Sequence, residues 1–560
     1  MNSQLSLVPS ETPQSSDTPK KTLKGILEGV ASKELVLAFG GPIGAGLKDV
    51  IDLVETELKS LDYEVERIKI SDLIKAAAQK LKLQEQAQAE LQSSAAKKRY
   101  RNLQDLGSQL RLLKGEDVLA QLAVRHISLD RAKKNESTPV AEVVPRRVVY
   151  LIDQLKNPAE VSLLRAVYRE NFYLLGVLCG YEQRKLNLKS EGVSITEAET
   201  LMEIDRKEGV AHGQNLEKTL QLADFFLRNS TSNTKAIREP IDRFLRLMHG
   251  DLSVTPTIHE QGMYAAFSAG LSSACMSRQV GAAIVDREGK LIATGCNDVP
   301  RGGGGLYREA SGEDNRCIHQ RGGVCFNDQN KDKLRDAIGD IIKLGAAKYL
   351  RDELPAHLNK NLGEILVDPV SGIEAISQQL ATEVAQTIRS ESRLKDLIEF
   401  SRAVHAEMDA IVNLGRTGQG ISQDSVLYTT TYPCHNCARH IVAAGIRAVF
   451  FIEPYEKSLA SELHSDSISH DADREPLLSE WLDVDRLKTR KVSFLHFEGV
   501  APKRYMDLFF ADQGRKGIDG KRKPWLGNTA SKKIPEYLEA YPALESRVVQ
   551  HLDDTGMGPP

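Results

Sequence analysis

His405-Ala406-Glu407-Met408-Asp409-Ala410-Ile411, followed by Val426 to Thr430, Pro433-Cys434-His435-Asn436-Cys437 and Ala448 to Ile452, decides the fold of the C-terminal half. Helical periodicity after His405, two short runs rich in β-branched and aromatic residues, and a helix opening at Asn436 give the order helix, strand, helix, strand. That alternation marks an α/β layer structure. Both helix starts also carry metal-ligating side chains. His405 and Glu407 stand at i and i+2, suited to a first helical turn. Cys434 and Cys437 flank two residues, so a turn entering a helix aims both thiolates at one ion.

One imidazole and two thiolates form a ligand set for Zn²⁺ that leaves a fourth position open, the pattern of catalytic rather than structural zinc. Zinc lowers the pKa of its water toward ~7. Glu407, a carboxylate outside the ligand set, is placed to take that proton, protonate a ring nitrogen and help an amine leave as ammonia. His405, Cys434, Cys437 and Glu407 together are the equipment for replacing an amino group on a nucleobase with oxygen. A closed structural zinc site, or a chance His and Cys pair in a core, is the competing reading. The combination of H-A-E, T-x-x-P-C (Thr430 to Cys434) and helix-strand order weighs against it.

The remaining composition sets the context. The chain has 560 residues, enough for about two to four domains. Lys and Arg (74) nearly cancel Asp and Glu (77), and a net charge of −3 gives no general drive toward a polyanion. Seven cysteines do not make a disulfide framework at this length, so a reducing, cytoplasmic setting is expected. Met1 to Asp17 lacks the basic start and apolar core of a signal peptide, and no apolar run reaches membrane-spanning length.

Residues 1–20 read as a disordered tail. Leu35 to Phe39 is a buried strand, broken by Gly40-Gly41-Pro42-Ile43-Gly44-Ala45-Gly46, with helical periodicity from Leu47 to Leu58. Residues 74–135 read as helices. Val148 to Ile152, ending on Asp153, and Phe172 to Leu178 are two further buried strands. A parallel sheet with crossover helices is therefore expected over residues 21–240. The second unit, 250–515, opens with a helix over 259–277 carrying Met263, Phe267 and Leu271 on one stripe. A hairpin follows, Val280 to Val285 and Lys290 to Thr294, and then a helical insertion at about 329–400. Val492 to Phe497 reads as a last strand. Residues 516–560 form a C-terminal extension to which the pattern assigns no role.

Three stretches look like the deoxycytidylate deaminase family: His405 to Ile411, Leu427 to Ala438, and Ser277-Arg278-Gln279-Val280-Gly281-Ala282-Ala283-Ile284-Val285-Asp286 leading to Gly295-Cys296-Asn297-Asp298-Val299-Pro300. The resemblance implies a cytidine-deaminase-fold α/β/α sandwich and a deoxycytidine nucleotide substrate, with Asn297 contacting the nucleoside. The chain departs from the family at Asp409, where members carry Asn, and at Tyr432, where an acid is more usual.

Gly41-Pro42-Ile43-Gly44-Ala45-Gly46-Leu47-Lys48 nearly fits G-x₄-G-K-[ST], but Lys48 falls one position late and no Ser or Thr follows. Gly41, Gly44, Gly46 and Lys48 are candidate nucleotide contacts, with Asp153 in the Walker-B role. A plain glycine turn between strand and helix is the alternative, and phosphoryl transfer is not expected. A P-loop-kinase-like unit fused to a deaminase resembles the bacterial anti-phage dCTP deaminases. Asp153 to Pro158, Ala223 to Phe226, Glu453 to Ser458 and Gly499 to Tyr505 support that likeness. It implies conversion of dCTP, and also dCMP, to uracil nucleotides, which depletes the pool that phage replication needs. It also implies control by the N-terminal unit and a homo-oligomer, and leaves open a nucleotide effector and an RNA or protein inhibitor.

Arg278, Arg301, Lys457 and Arg504 are candidate triphosphate contacts. A second, structural zinc at Cys317, His319 and Cys325 is weighed against free thiols in a cytosolic loop, the simpler account. The Gly302 to Gly305 run is read as a flexible connection. Two other functions remain open: a nucleic-acid cytosine or adenosine deaminase, and a non-catalytic nucleotide sensor. The near-neutral charge and the lack of an evident base-stacking module weigh against the first, and the intact H-A-E against the second.

Overall fold

A computed structural model describes residues 31–83, 95–135, 146–206, 213–229, 234–309, 314–320, 322–348, 369–391, 400–418, 420, 425–453, 458–470, 491–510, 516, 523–528, 530–536 and 541–557. The expected N-terminal tail, and Pro454 to Lys457, lie outside them. Twelve strands are described: β1 (Leu35–Gly40), β2 (Glu64–Ile68), β3 (Val148–Ile152), β4 (Phe172–Leu178), β5 (Phe225–Arg228), β6 (Gly281–Val285), β7 (Leu291–Cys296), β8 (Val426–Thr431), β9 (Ala448–Glu453), β10 (Ile468–Ser469), β11 (Val492–His496) and β12 (Gly499–Val500). They form two six-stranded sheets.

The first sheet has the order β12-β5-β4-β1-β3-β2, and the pairings β2–β3, β3–β1, β1–β4 and β4–β5 are all parallel. Its central strands are apolar on both faces because helices cover both. Leu35, Leu37 and Phe39 of β1 pack with Val50, Val54 and Leu58 of the helix Leu47–Ser60. Val36 and Ala38 face the opposite layer, with Leu110, Val124 and Val161. The strand β2 was not anticipated. Its Glu64-Val65-Glu66-Arg67 is charged and half-exposed, as an edge position allows but a central one does not.

The second sheet, β10-β11-β9-β8-β6-β7, is mixed: β6 pairs antiparallel with β7 and β8, and the rest is parallel. The helix Ile258–Gly270 covers one face, with Met263 and Ala266 against Tyr428 and Phe450. The helices Ala406–Arg416 and His435–Ala443 cover the other, through Ala410, Leu414, Ala438 and Ile441. The first helix is shorter than its sequence implied. It stops at Gly270, and Leu271, expected on the buried stripe, is 60% exposed.

The chain returns to its start after the second sheet. The short β12 pairs antiparallel with β5, so the first sheet is completed from outside residues 21–240. Glu260 holds this crossing. Buried to 1% exposure, it accepts the Val500 N–H (2.8 Å) and pairs with Arg243 (2.6 Å). The C-terminal extension also packs on the first unit: Arg147 donates to the carbonyls of Gly527 and Ala530, and Arg131 joins Glu34 to Glu545.

Candidate active site

Two helix starts on one face of the second sheet deliver the ligands. His405 occupies the N-cap of Ala406–Arg416 with extended backbone (φ −75°, ψ 154°), after a bridge between Val404 and Asp298. Cys434 occupies the N-cap of His435–Ala443 (φ −67°, ψ 163°), and its Sγ accepts the Cys437 N–H at 3.4 Å. Pro433 suits that extended approach, since it cannot continue β8 as a hydrogen-bond donor. His405 Nδ1 then lies 3.3 Å from Cys434 Sγ and 3.4 Å from Cys437 Sγ. Ligands at about 2.0 Å (N) and 2.3 Å (S) on a tetrahedral ion stand roughly 3.6 Å apart, so this donor set fits zinc. Among the described residues it is the only group of His, Cys, Asp and Glu that converges in this way.

The electrostatics of the ligand set agree with its chemistry. Hydrogen bonding from Cys437, then from His405, drives the Cys434 thiol down to about 4. The Cys434 thiolate in turn raises His405 to about 9, while sharing the proton with Cys434 pushes Cys437 up. Glu407, in the first turn beside His405, is buried, and its carboxyl is pushed up to about 7 by loss of solvent and by the Cys434 thiolate. A carboxyl poised near neutrality can both accept and return a proton.

Two glycines set the distance between sheet and helices. A Cβ on Gly295 of β7 would stand 2.3 Å from the Ala406 carbonyl, and one on Gly281 of β6 would stand 1.8 Å from the Ala266 carbonyl. Only glycine lets β7 approach the helix of His405 and Glu407 so closely. Just beyond β7, Asn297 is nearly buried; its Oδ1 accepts from Val280 N–H (2.7 Å) and its Nδ2 donates to the Arg278 carbonyl (2.8 Å). Each end of that amide keeps capacity for one further hydrogen bond.

These groups open into one pocket of about 360 Å³. Asn297, Arg278, Tyr432, His405, Glu407 and Cys434 line its floor and side. Tyr432 is oriented by His470 Nε2 (2.6 Å) and by an edge contact with Phe451. Asp409 turns away from the pocket: it accepts from the Cys296 N–H and from the Asn413 side-chain amide. The roof was not read from the sequence. Asn327, Asp328 and Lys331 of the helix Phe326–Lys348, and Arg389 of the helix Pro369–Glu391, line the same cavity. They lie in the insertion, where no motif marks them.

Other candidates are placed elsewhere. Arg504 is fastened at the junction of the two units by Glu170 (3.0 Å), Asp507 (3.0 Å) and the buried Asp224 (3.7 Å), away from the pocket. Arg301 lies in an exposed turn closed by its N–H to the Gly305 carbonyl (2.8 Å), and Lys457 is outside the described residues. The residues of the less favoured second-zinc reading do not converge among the described residues. His319 turns to Asp314 (3.3 Å), while Cys317 and Cys325 face a small cavity with Cys275.

In the first unit, Gly44 and Gly46 have φ of 81° and 67°, so the glycine loop does turn as a phosphate cradle would. Two of its amides, those of Ile43 and Ala45, are engaged from within. Ile43 N–H donates to Asp205 Oδ2 (2.7 Å), and the Ile43 side chain packs among Leu188, Leu201 and Met202. Asp205 also pairs with Lys156. Lys48 is exposed, Gly41 is packed against Val177, and Asp153 accepts the Ile70 N–H (2.8 Å) at the start of a helix.

Residues 256–453 match the family model of the cytidine and deoxycytidylate deaminase zinc-binding region. Over 56 residues it is 38% identical to ComE operon protein 2 of Bacillus subtilis (strain 168), covering 10% of this chain and 29% of that protein. Over 55 residues it is 36% identical to the deoxycytidylate deaminase of Enterobacteria phage T2, again 10% and 29%. The chain thus spans only about 29% of the length of these curated relatives. A dCMP deaminase of the cyanophage S-TIM5 aligns in structure over 43% of this chain and 99% of its own, with 16% identity and a TM-score of 0.20. No described helix is long and apolar enough to cross a membrane.

Proposed function

We propose that this protein hydrolyses deoxycytidine nucleotides, dCMP and dCTP, to the uracil nucleotides and ammonia. The observation that carries the reading is the convergence of His405, Cys434 and Cys437 beside a buried, non-ligating Glu407 at the floor of a pocket. Those three side chains would hold a zinc ion, which when bound would supply Lewis acidity to a water near neutral pH. Glu407 then carries protons. Its carboxylate accepts one from water, delivers it to N3 of the cytosine ring, and passes the second to the exocyclic amine, which departs as ammonia. The spare capacity of the Asn297 amide orients the nucleoside, and burial of Glu407 keeps bulk water from taking its proton. The near-neutral charge of the chain and the roof over the pocket favour a free nucleotide over a polymer.

Likeness to anti-phage dCTP deaminases supports a second level of the proposal, that deamination depletes dCTP during infection. Ammonia release from dCMP and dCTP by zinc-loaded protein tests the chemistry, with single-stranded DNA and tRNA assayed in parallel. Nucleotide pools in infected cells carrying wild type or Glu407→Ala test the role. Unchanged dCTP in infected wild-type cells would remove the defence reading and leave the chemistry standing.

A further inference from the structure

The roof of the pocket differs in chemistry from its floor. The helices Phe326–Lys348 and Pro369–Glu391 pack against each other and present two cations, Lys331 and Arg389, to the cavity. Lys331 is only 6% exposed, an uncommon setting for an ammonium. Arg389 Nε is buried and has no hydrogen-bond partner among the described residues; its nearest carboxylate, Asp332 Oδ1, is 3.6 Å away. A buried guanidinium N–H without an acceptor is costly, and an anion entering the cavity would satisfy it. Arg278 adds a third cation at the side wall, 3.6 Å from Glu453. The opposing charges in the lining are Asp328, exposed at the rim where water screens it, and Glu407 at the floor.

We propose that Lys331 and Arg389 receive the 5′-phosphate groups of the nucleotide, so that the insertion selects phosphorylated substrates over nucleosides. The assignment rests on the deaminase reading for the base and adds where the anionic end lies. With the base at Glu407 and the sugar at Asn297, the phosphates point to the roof. There a planar guanidinium matches phosphate oxygens in pairs and an ammonium supplies a point charge. The four cations proposed from sequence share only Arg278 with this arrangement.

The test uses the full, zinc-loaded chain and the variants Lys331→Gln, Arg389→Gln and Arg389→Lys, with dCMP, dCTP and deoxycytidine, the last as substrate or as competitive inhibitor. Each Gln variant is expected to lose about 10-fold in kcat/KM for dCMP and dCTP, mostly through KM, with partial recovery in Arg389→Lys. The corresponding constant for deoxycytidine should change less than about two-fold, which also shows that the fold is intact. An equal loss for nucleoside and nucleotides overturns the assignment. If the wild type deaminates none of these compounds, the proposed function fails separately, and calorimetric binding of inorganic tripolyphosphate decides the inference. Weaker binding by both Gln variants supports it, and unchanged binding overturns it.

Discussion

Two strand-to-helix junctions in this chain begin alike and end differently. After β1, Gly41 to Gly46 turns with two positive-φ glycines, and after β8, Thr431 to Cys434 turns through a proline. Both aim backbone or side-chain groups past the end of a strand, the usual place for a ligand site in an α/β sheet. At the second junction the donors meet one another across a cavity: His405 Nδ1 is 3.3–3.4 Å from two thiols that belong to another helix. At the first, the carboxylate of Asp205 already takes the Ile43 amide, and Ile43 plugs an apolar cluster. A motif specifies donors; neighbouring elements decide whether a ligand can reach them.

The strongest way to break this comparison is to remove a metal ligand. Cys437→Ser, or chelation of the wild type, is expected to abolish deamination; metal analysis and ammonia release check it, and activity in metal-free protein would refute the catalytic zinc. Glu407→Ala should retain zinc and lose about 10³-fold in kcat, because only proton transfer is removed. A variant that keeps activity within a few-fold would reassign the proton carrier. On the other side, Asp205→Asn breaks an ion pair whose carboxylate is fully buried and should destabilise the chain by about 3 kcal/mol in chemical denaturation. A stability indistinguishable from wild type would mean that the loop is not held by Asp205. Gly295→Ala puts a methyl against the Ala406 carbonyl and is expected to cost about 2 kcal/mol, with a drop in activity that Gly302→Ala, where a Cβ meets open space, should not share.

The smallest effect is graded with pH. Burial lowers His249 in the first unit to about 4 and His259 in the second to about 3. Each is neutral in the folded chain, whereas the unfolded imidazole binds a proton below about 6.5. The unfolded state therefore takes up more protons as pH falls. Stability is full above pH 6.5 and declines from there toward pH 4 and 3, by on the order of 1–2 kcal/mol per histidine at pH 5. Denaturation midpoints of wild type and His249→Gln between pH 7 and 5 measure this. Parallel curves for the two proteins would show that His249 does not carry the loss in the first unit.

The candidate zinc ligands and Glu407 were legible because their spacing is local: i, i+2 at one helix start and i, i+3 at another. The central strands β1, β3 and β4 were legible for the same reason, being apolar on both faces. The edge strand β2 was not, since its charges are tolerated only by its position in the finished sheet. Nor was β12: two residues carry no periodicity, and the pairing with β5 depends on Glu260 and Arg243 meeting across the two units.

The amino-acid order alone determined the candidate site, because ligand chemistry and helix starts are encoded within a few residues. Tertiary structure alone decided what surrounds that centre. Lys331 and Arg389 reach the pocket only because two insertion helices fold over it, and Asp205 reaches the glycine loop only because a distant helix packs there. Contacts between residues far apart in the chain follow from packing, and no local pattern records them.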